Sequence, residues 1–384
     1  MKSLIGKIIF TSIVFLLAKQ TVCADSVGPA NVAVADMALW SESIATPAGF
    51  DKASRAANII YLQQLHAMRT LSDDDILRAF NLKSVNRAGV DKWLSHEVIA
   101  TASNYKIAEQ SCGDSDFTCV KSGDGLSALE SGKVAFPKEF QAWSEGVTAF
   151  TKIYIGEQLR LAALFPKVTS EIDTFSSQEW TGSSVSDRQF FLTFDDGPTP
   201  PNGSSDDTVR TLTTEKKTGT FFVLGENFQK RLAATSGDAM KTLYANHCIA
   251  SHGWTHQSHA KLPSWQDSVI RTQEIITDSI EQRNVLPLFR PPYGQRKDNS
   301  GDFFKEQQIK VGLWNIDSQD WNAKIDVKSL ENRVLILMLL KRHGVILFHD
   351  VHPKAKNALP RIFEAVDGAV SWSDCHELQA LQEN

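Results

Sequence analysis

The chain has 384 residues, 42% of them hydrophobic and 22% charged, with a formal net charge of −5. That acidic balance does not suit a nucleic-acid binder or a polybasic membrane-docking protein. The length is comfortable for two domains.

Lys2 and Lys7 precede an apolar run from Ile8 to Ala18, and Val22-Cys23-Ala24 offers small residues before a cut ahead of Asp25. The run is short for a bilayer span, so residues 1–24 read as a cleaved signal peptide rather than an anchor. A secreted or periplasmic protein is expected. Cys23 lacks the Leu and the small residue that usually precede a lipid-modified Cys. Removing residues 1–24 takes away three Lys and no acids, which moves the formal charge to −8. Four cysteines then remain, an even count that suits disulfides in an exported chain. Cys112 and Cys119 are spaced to close a small loop. Cys248 and Cys375 are candidates for a second bridge, although spacing does not establish connectivity.

Residues 25–180 read as an α-helical N-terminal domain. Apolar residues recur at helical spacing from Lys52 to Leu71, and Ser72-Asp73-Asp74-Asp75 makes an acidic helix start. Val90 to Ala108 and Pro137 to Leu164 repeat the pattern, with Pro137 suited to a first turn. No catalytic cluster is visible there, and His66 and His96 read as packed or surface residues. The Ser- and Thr-rich stretch from Lys167 to Arg188 reads as a connector. From Phe190 onward, β-type runs alternate with helical patterns: Phe190–Phe194, Thr220–Leu224, Ile249–Ser251, Leu286–Phe289, Val311–Ile316 and Val345–Phe348. That alternation argues a parallel β/α arrangement, either barrel or open sheet. Between the last two runs, Leu330 to Leu340 forms a helix that Gly344 is placed to end.

Five of these runs end in polar clusters. Phe190 to Phe194 leads into Asp195-Asp196-Gly197-Pro198, and a strand ending in paired acids lifts them to the rim of a sheet or barrel. His252-Gly253-Trp254-Thr255-His256 has two histidines at i, i+4, which a helical turn would bring to one side and to one metal ion. With a carboxylate from the Asp195-Asp196 pair, they would make a two-His, one-carboxylate set with positions open to water and substrate. His247 and His259 lie nearby and are not assigned as ligands. In Phe289-Arg290-Pro291-Pro292-Tyr293-Gly294 the prolines stiffen a loop that fixes an Arg, whose fork can hold a carboxylate by two bonds. Trp314 to Trp321 runs into Asp317 and Asp320, and Val345 to Asp350 carries His349 at its end. Each cluster alone is ordinary turn or cap chemistry. Five of them, all at strand ends, are hard to explain that way.

In order and spacing, TFDDGP, HGWTH, RPPYG, DSQDW and LFHD resemble the polysaccharide deacetylase family (NodB homology, carbohydrate esterase family 4). Gly219 to Val223 is also similar to that family's second strand. The resemblance covers about residues 188–370, within a domain drawn at 185–384. It implies a distorted (β/α) barrel with fewer than eight strands, a divalent metal, usually zinc with cobalt as a substitute, and removal of acetyl groups from N- or O-acetylated sugars. It further implies Asp195 as general base and Asp196, His252 and His256 as metal ligands. Arg290 is then the residue that orients the base, and the backbone N–H of Tyr293 helps bind the oxyanion. By the same match Asp320 tunes His349, the general acid, while Trp321 and Leu347 wall the acetyl pocket. Gly253 departs from the Ser or Thr common at its position, which should loosen the ligand loop. The expected substrate is β-1,4-linked N-acetylglucosamine in peptidoglycan or chitin oligomers, peptidoglycan being preferred because the signal looks bacterial. An O-acetyl esterase acting on a glycan such as xylan, or a catalytically inactive glycan-binding module, are the rival readings. The helical domain is expected to shape access to the barrel mouth or to contact the polymer.

Overall fold

The computed structural model describes residues 31–113, 116–120 and 134–382, so the expected signal peptide lies outside the described residues. Among the described residues four α-helices come first: α1 (Pro47–Met68), α2 (Asp73–Phe80), α3 (Arg87–Glu109) and α4 (Lys138–Leu164). Local chemistry starts them. Thr46 accepts the Gly49 N–H with Pro47 in the first turn of α1, and Ser72 and Asp75 form a reciprocal capping box at α2. Pro137 sits just outside α4, at its N-cap.

The rest of the chain is β1 (Glu179–Trp180), β2 (Gln189–Asp195), α5 (Ser204–Thr214), β3 (Thr220–Val223), α6 (Gly225–Ala234), α7 (Gly237–Leu243), β4 (Cys248–Ser251), α8 (Trp265–Ser279), β5 (Val285–Phe289), α9 (Gly301–Glu306), β6 (Lys310–Gly312), β7 (Ile316–Asp317), α10 (Val327–Lys341), β8 (Gly344–His349), α11 (Pro353–Ala365) and β9 (Ser371–Trp372). The strands pair in the order β1-β6-β5-β4-β3-β2-β8-β7, with β9 beside the start of β2 and every pairing parallel.

The single run expected at Val311–Ile316 divides into two strands near opposite ends of that order. Leu313 donates its N–H to Trp180 O in β1 at 2.8 Å, and Asn315 reaches Val345 O in β8 at 3.4 Å. Three residues therefore step across the seam and draw the two edges together, because so short a link spans only roughly 10–14 Å. The sheet curls into a distorted (β/α) barrel preceded by a helical region. The stretch expected to be only a connector supplies the edge strand β1. There the buried Glu179 pairs with Arg296, which also donates to Ser170 O at 2.7 Å.

Helix α10 explains how the helical region joins the barrel. Its residues from Leu330 to Leu340 are all buried, the polar Glu331, Asn332 and Arg333 included, because both faces are covered. Ser54 and Asn58 of α1 donate to Leu339 O, and Asn104 of α3 donates to Leu340 O. One hydrophobic cluster runs from Phe50, Tyr61 and Trp143 through Leu337 to Phe190 and Phe194. The described residues from Asn31 onward form one compact unit. A cavity of about 500 Å³ remains between the helices and the seam, lined by Trp93, His96, Tyr154, Glu171, Trp314 and Asp317.

Helix α10 does not end at Gly344. It closes with Arg342 in the left-handed conformation (φ 63°), its guanidinium gripped by Asp187 and Asp51. Gly344 instead opens β8, where a side chain would collide with the amide of Asn315. Disulfides join Cys112 to Cys119 and Cys248 to Cys375. Among the described residues no helix is long and apolar enough to cross a membrane.

Candidate active site

Parallel strands bring their C-terminal ends to one rim, and the register sets which side chains meet there. Asp195 at the end of β2 lies directly opposite His349 at the end of β8, and Thr193 opposite Leu347. Asp195 is 2% exposed, and Arg290 Nη1 donates to its Oδ1 at 2.9 Å. The expected two-bond fork does not form. Arg290 spends its other donors on Thr193 Oγ1, Gly312 O and Leu313 O, with its guanidinium 4.1 Å from the centre of the Phe222 ring. The guanidinium is thereby fixed by the barrel itself and offers Asp195 one aligned hydrogen bond plus its charge.

On the other side of the rim, Asp320 holds His349 twice. Its Oδ1 accepts from His349 Nδ1 at 2.7 Å and its Oδ2 accepts the His349 backbone N–H at 2.8 Å. Burial opposes charge on the imidazole, but Asp320, followed by Asp196 and Asp195, outweighs it and pushes the His349 pKa up to about 10. The imidazolium is the favoured form near neutral pH.

Between these pairs, the nitrogen Nε2 of His252 and that of His256 each lie 3.4 Å from Asp196 Oδ1. That oxygen is buried and has no hydrogen-bond partner. His252 Nδ1 sits 2.7 Å from Arg290 O; a carbonyl only accepts, so Nδ1 carries the proton and Nε2 presents its lone pair to Asp196. Burial by itself would raise the Asp196 pKa. Contact with His252 and the charge of His349 instead hold it well below the usual carboxylate range. Two imidazole nitrogens and an ionised, otherwise orphaned carboxylate oxygen fit a divalent transition-metal ion.

The two histidines do not lie on a helical turn. Residues 252–256 form a loop after β4, and Gly253 takes φ +82°, which curls the loop so that both rings face Asp196. A side chain at 253 would run into His259. The expected loosening is offset by other hydroxyls: Ser251 Oγ accepts the Gly253 N–H at 3.2 Å, and Ser268 Oγ accepts the Trp254 N–H at 2.7 Å. His259 Nε2 contacts the same Ser268 hydroxyl at 3.0 Å, and burial pushes the His259 pKa down to about 4, so the ring is a neutral strut. His247 lies in the core at the opposite end of β4, edge-on to Phe221.

Tyr293 and Trp321 stand at the rim, 58% and 42% exposed, while Leu347 is buried. Tyr293 sits edge-on to His256 at 4.4 Å. Asp196, Tyr293 and Gln319 all have positive φ (79°, 61° and 54°), conformations that side chains other than Gly rarely adopt and that cluster at functional sites. Asp350 was not singled out from the sequence. It is buried beneath the Asp196-Gly197 turn, where a side chain at 197 would strike its carboxyl, and burial pushes its pKa up to about 7. Its place after His349 in LFHD was the one available signal.

The polysaccharide deacetylase family matches over residues 182–312. Two peptidoglycan-N-acetylglucosamine deacetylases of Bacillus cereus are each 30% identical to the chain. One aligns over 54% of this chain and 75% of its own length, the other over 38% and 50%. Chitin deacetylase 1 of Saccharomyces cerevisiae is 32% identical over 41% of this chain and 50% of its own. The chain thus spans between half and three quarters of the length of these relatives. The family match spans Asp195, Asp196, His252, His256 and Arg290, and the match at 30% identity over three quarters of a relative makes the chain a member of the polysaccharide deacetylase family.

Proposed function

We propose that the protein is an exported, metal-dependent deacetylase that hydrolyses the N-acetyl group of N-acetylglucosamine units in peptidoglycan. The observation that carries this reading is the pairing at the rim. Asp195 is held by Arg290 and His349 by Asp320, on adjacent strands in register, with a three-residue ligand set between them. The peptidoglycan preference draws on the two Bacillus cereus relatives. Export is supported by the charge and apolar pattern of residues 1–24 and by the two disulfides.

Asp196, His252 and His256 would hold the metal, with zinc the favoured ion. When bound, it supplies Lewis acidity toward the acetyl carbonyl and toward a water molecule. Asp195 accepts the proton of the attacking water. Arg290 keeps that carboxylate in place, and the backbone N–H of Tyr293 stabilises the tetrahedral oxyanion, a donor of the kind worth about 3 kcal/mol. His349, charged through Asp320, delivers its proton to the amide nitrogen as the C–N bond breaks, releasing acetate and a free amine. The two groups start in opposite protonation states because one faces a guanidinium and the other a carboxylate. Trp321 and Leu347 bound the acetyl group.

Acetate release from peptidoglycan, N-acetylchitooligomers and acetylated xylan, each with and without chelator, tests this reading. Release from the first, lost on chelation, is expected. Release from xylan alone would make the protein an O-acetyl esterase, and glycan binding without any release would make it a binding module. Fractionation with N-terminal sequencing should find the mature chain outside the cytoplasm, starting at Asp25.

A further inference from the structure

The helical region touches the catalytic rim through one buried polar network. Glu157 of α4 is buried, and its carboxylate accepts from four donors: Arg333 Nη2 at 2.8 Å, Arg333 Nη1 at 3.3 Å, the Ala33 N–H at 3.0 Å and Gln319 Nε2 at 3.3 Å. Gln319 immediately precedes Asp320, the residue that grips His349 at both its ring and its backbone. Its φ of 54° lies in the left-handed region, which a side chain makes sparsely populated, so the surroundings must hold it there. They do so at every polar atom. The Gln319 N–H donates to Asp317 Oδ1 at 2.8 Å, its carbonyl accepts the Asn322 N–H at 2.9 Å, and its Oε1 accepts Asn322 Nδ2 at 3.2 Å. Arg333, locked to Glu157, also donates from Nε to Asp317 O at 2.9 Å. The segment 317–322 is therefore pinned at Gln319 by a carboxylate that belongs to α4, and at Asp317 by the arginine of α10 that the same carboxylate holds.

We infer that the helical region has a role in catalysis: through Glu157 it positions the Asp317–Asn322 segment so that Asp320 keeps both bonds to His349. Glu157 and Gln319 are positioning residues, since neither faces the reacting atoms. The inference rests on the reading of His349 as general acid. Misplacing Asp320 would weaken proton delivery to a poor leaving group and leave substrate affinity alone.

The test compares an N-acetylglucosamine oligomer with 4-nitrophenyl acetate, whose leaving group needs little protonation, in the full chain. Gln319→Ala cuts the link and spares the Glu157–Arg333 pair; Glu157→Gln removes the charge. Both should lower kcat on the oligomer about tenfold with KM unchanged. The rate on the ester should fall by less than about twofold. Asp320→Asn serves as reference and should show the same selectivity, more strongly. If Asp320→Asn is selective while Gln319→Ala is silent, or slows both substrates equally, the positioning role is overturned and the general-acid reading survives. If Asp320→Asn itself slows both substrates equally, both fall. Should Glu157→Gln fail to accumulate folded, Gln319→Ala decides the matter by itself, because it leaves the buried ion pair intact.

Discussion

The interface between helices and barrel and the rim of the barrel are both built from buried charge pairs, and the two sets are finished differently. Under the helices two buried carboxylates are saturated. Glu157 takes its donors from Arg333, Ala33 and Gln319, while Glu97 takes Lys341 on both oxygens and the Tyr61 hydroxyl besides. At the rim one carboxylate is left with capacity to spare. Asp196 Oδ1 has no partner, and the Nε2 of His252 is directed at it rather than into a closed bond. Saturated pairs hold geometry, because breaking one strands a buried charge. Unsaturated ones can take a ligand or move a proton. The saturated carboxylates Glu157 and Glu97 are suited to hold structure, whereas the unpartnered oxygen of Asp196 is suited to take a ligand.

The largest effect that would sharpen this contrast is metal removal. Chelation should abolish turnover, and zinc or cobalt should restore it, with the fold intact by circular dichroism throughout; full activity in a metal-free preparation would break the comparison at its centre. Asp195→Asn comes next. It should keep the metal and the melting temperature and lose about 10²–10⁴ in kcat, read from initial rates and bound-metal analysis on one sample.

The interface should answer in stability instead. Glu97→Ala leaves Lys341 buried without its partner and should cost about 3 kcal/mol in denaturant unfolding, with the specific activity of the folded fraction unchanged. Deleting residues 31–164 should go further and yield no folded barrel, since it uncovers the apolar outer face of α10. A soluble, cooperatively melting product would show that the barrel is independent of the helices.

Smaller, and diagnostic of the rim, is the response of the pH–rate profile. The pKa of His349 is raised, so its proton is in place below that value and lost as pH rises through it. Asp320→Asn removes the largest opposing charge and should move the alkaline limb to lower pH by about one unit or more. An unmoved limb would separate His349 from that limb.

Much of the site was legible because its residues are local to strand ends. TFDDGP, HGWTH, RPPYG and LFHD each join a β-type run to the polar group it carries, and parallel pairing needs only one direction to bring such ends together. The capping box of α2 and the helical spacing of α1 to α4 are likewise short-range. What the sequence could not contain was any statement about which strand lies beside which. The run at Val311–Ile316 looks continuous, yet its halves pair at opposite ends of the sheet, because closing a barrel is a property of all the strands at once. Arg290 spends three of its bonds on Thr193, Gly312 and Leu313, and Gly253 is demanded by His259 only in three dimensions. The contact of Glu157 with Gln319 spans 162 positions. By itself the sequence determined the elements and the chemistry at their ends, since both follow from neighbouring residues. The tertiary structure alone decided how α10 is covered, which carboxylates are saturated and how the helices reach Asp320, because those depend on packing between segments that share no local pattern.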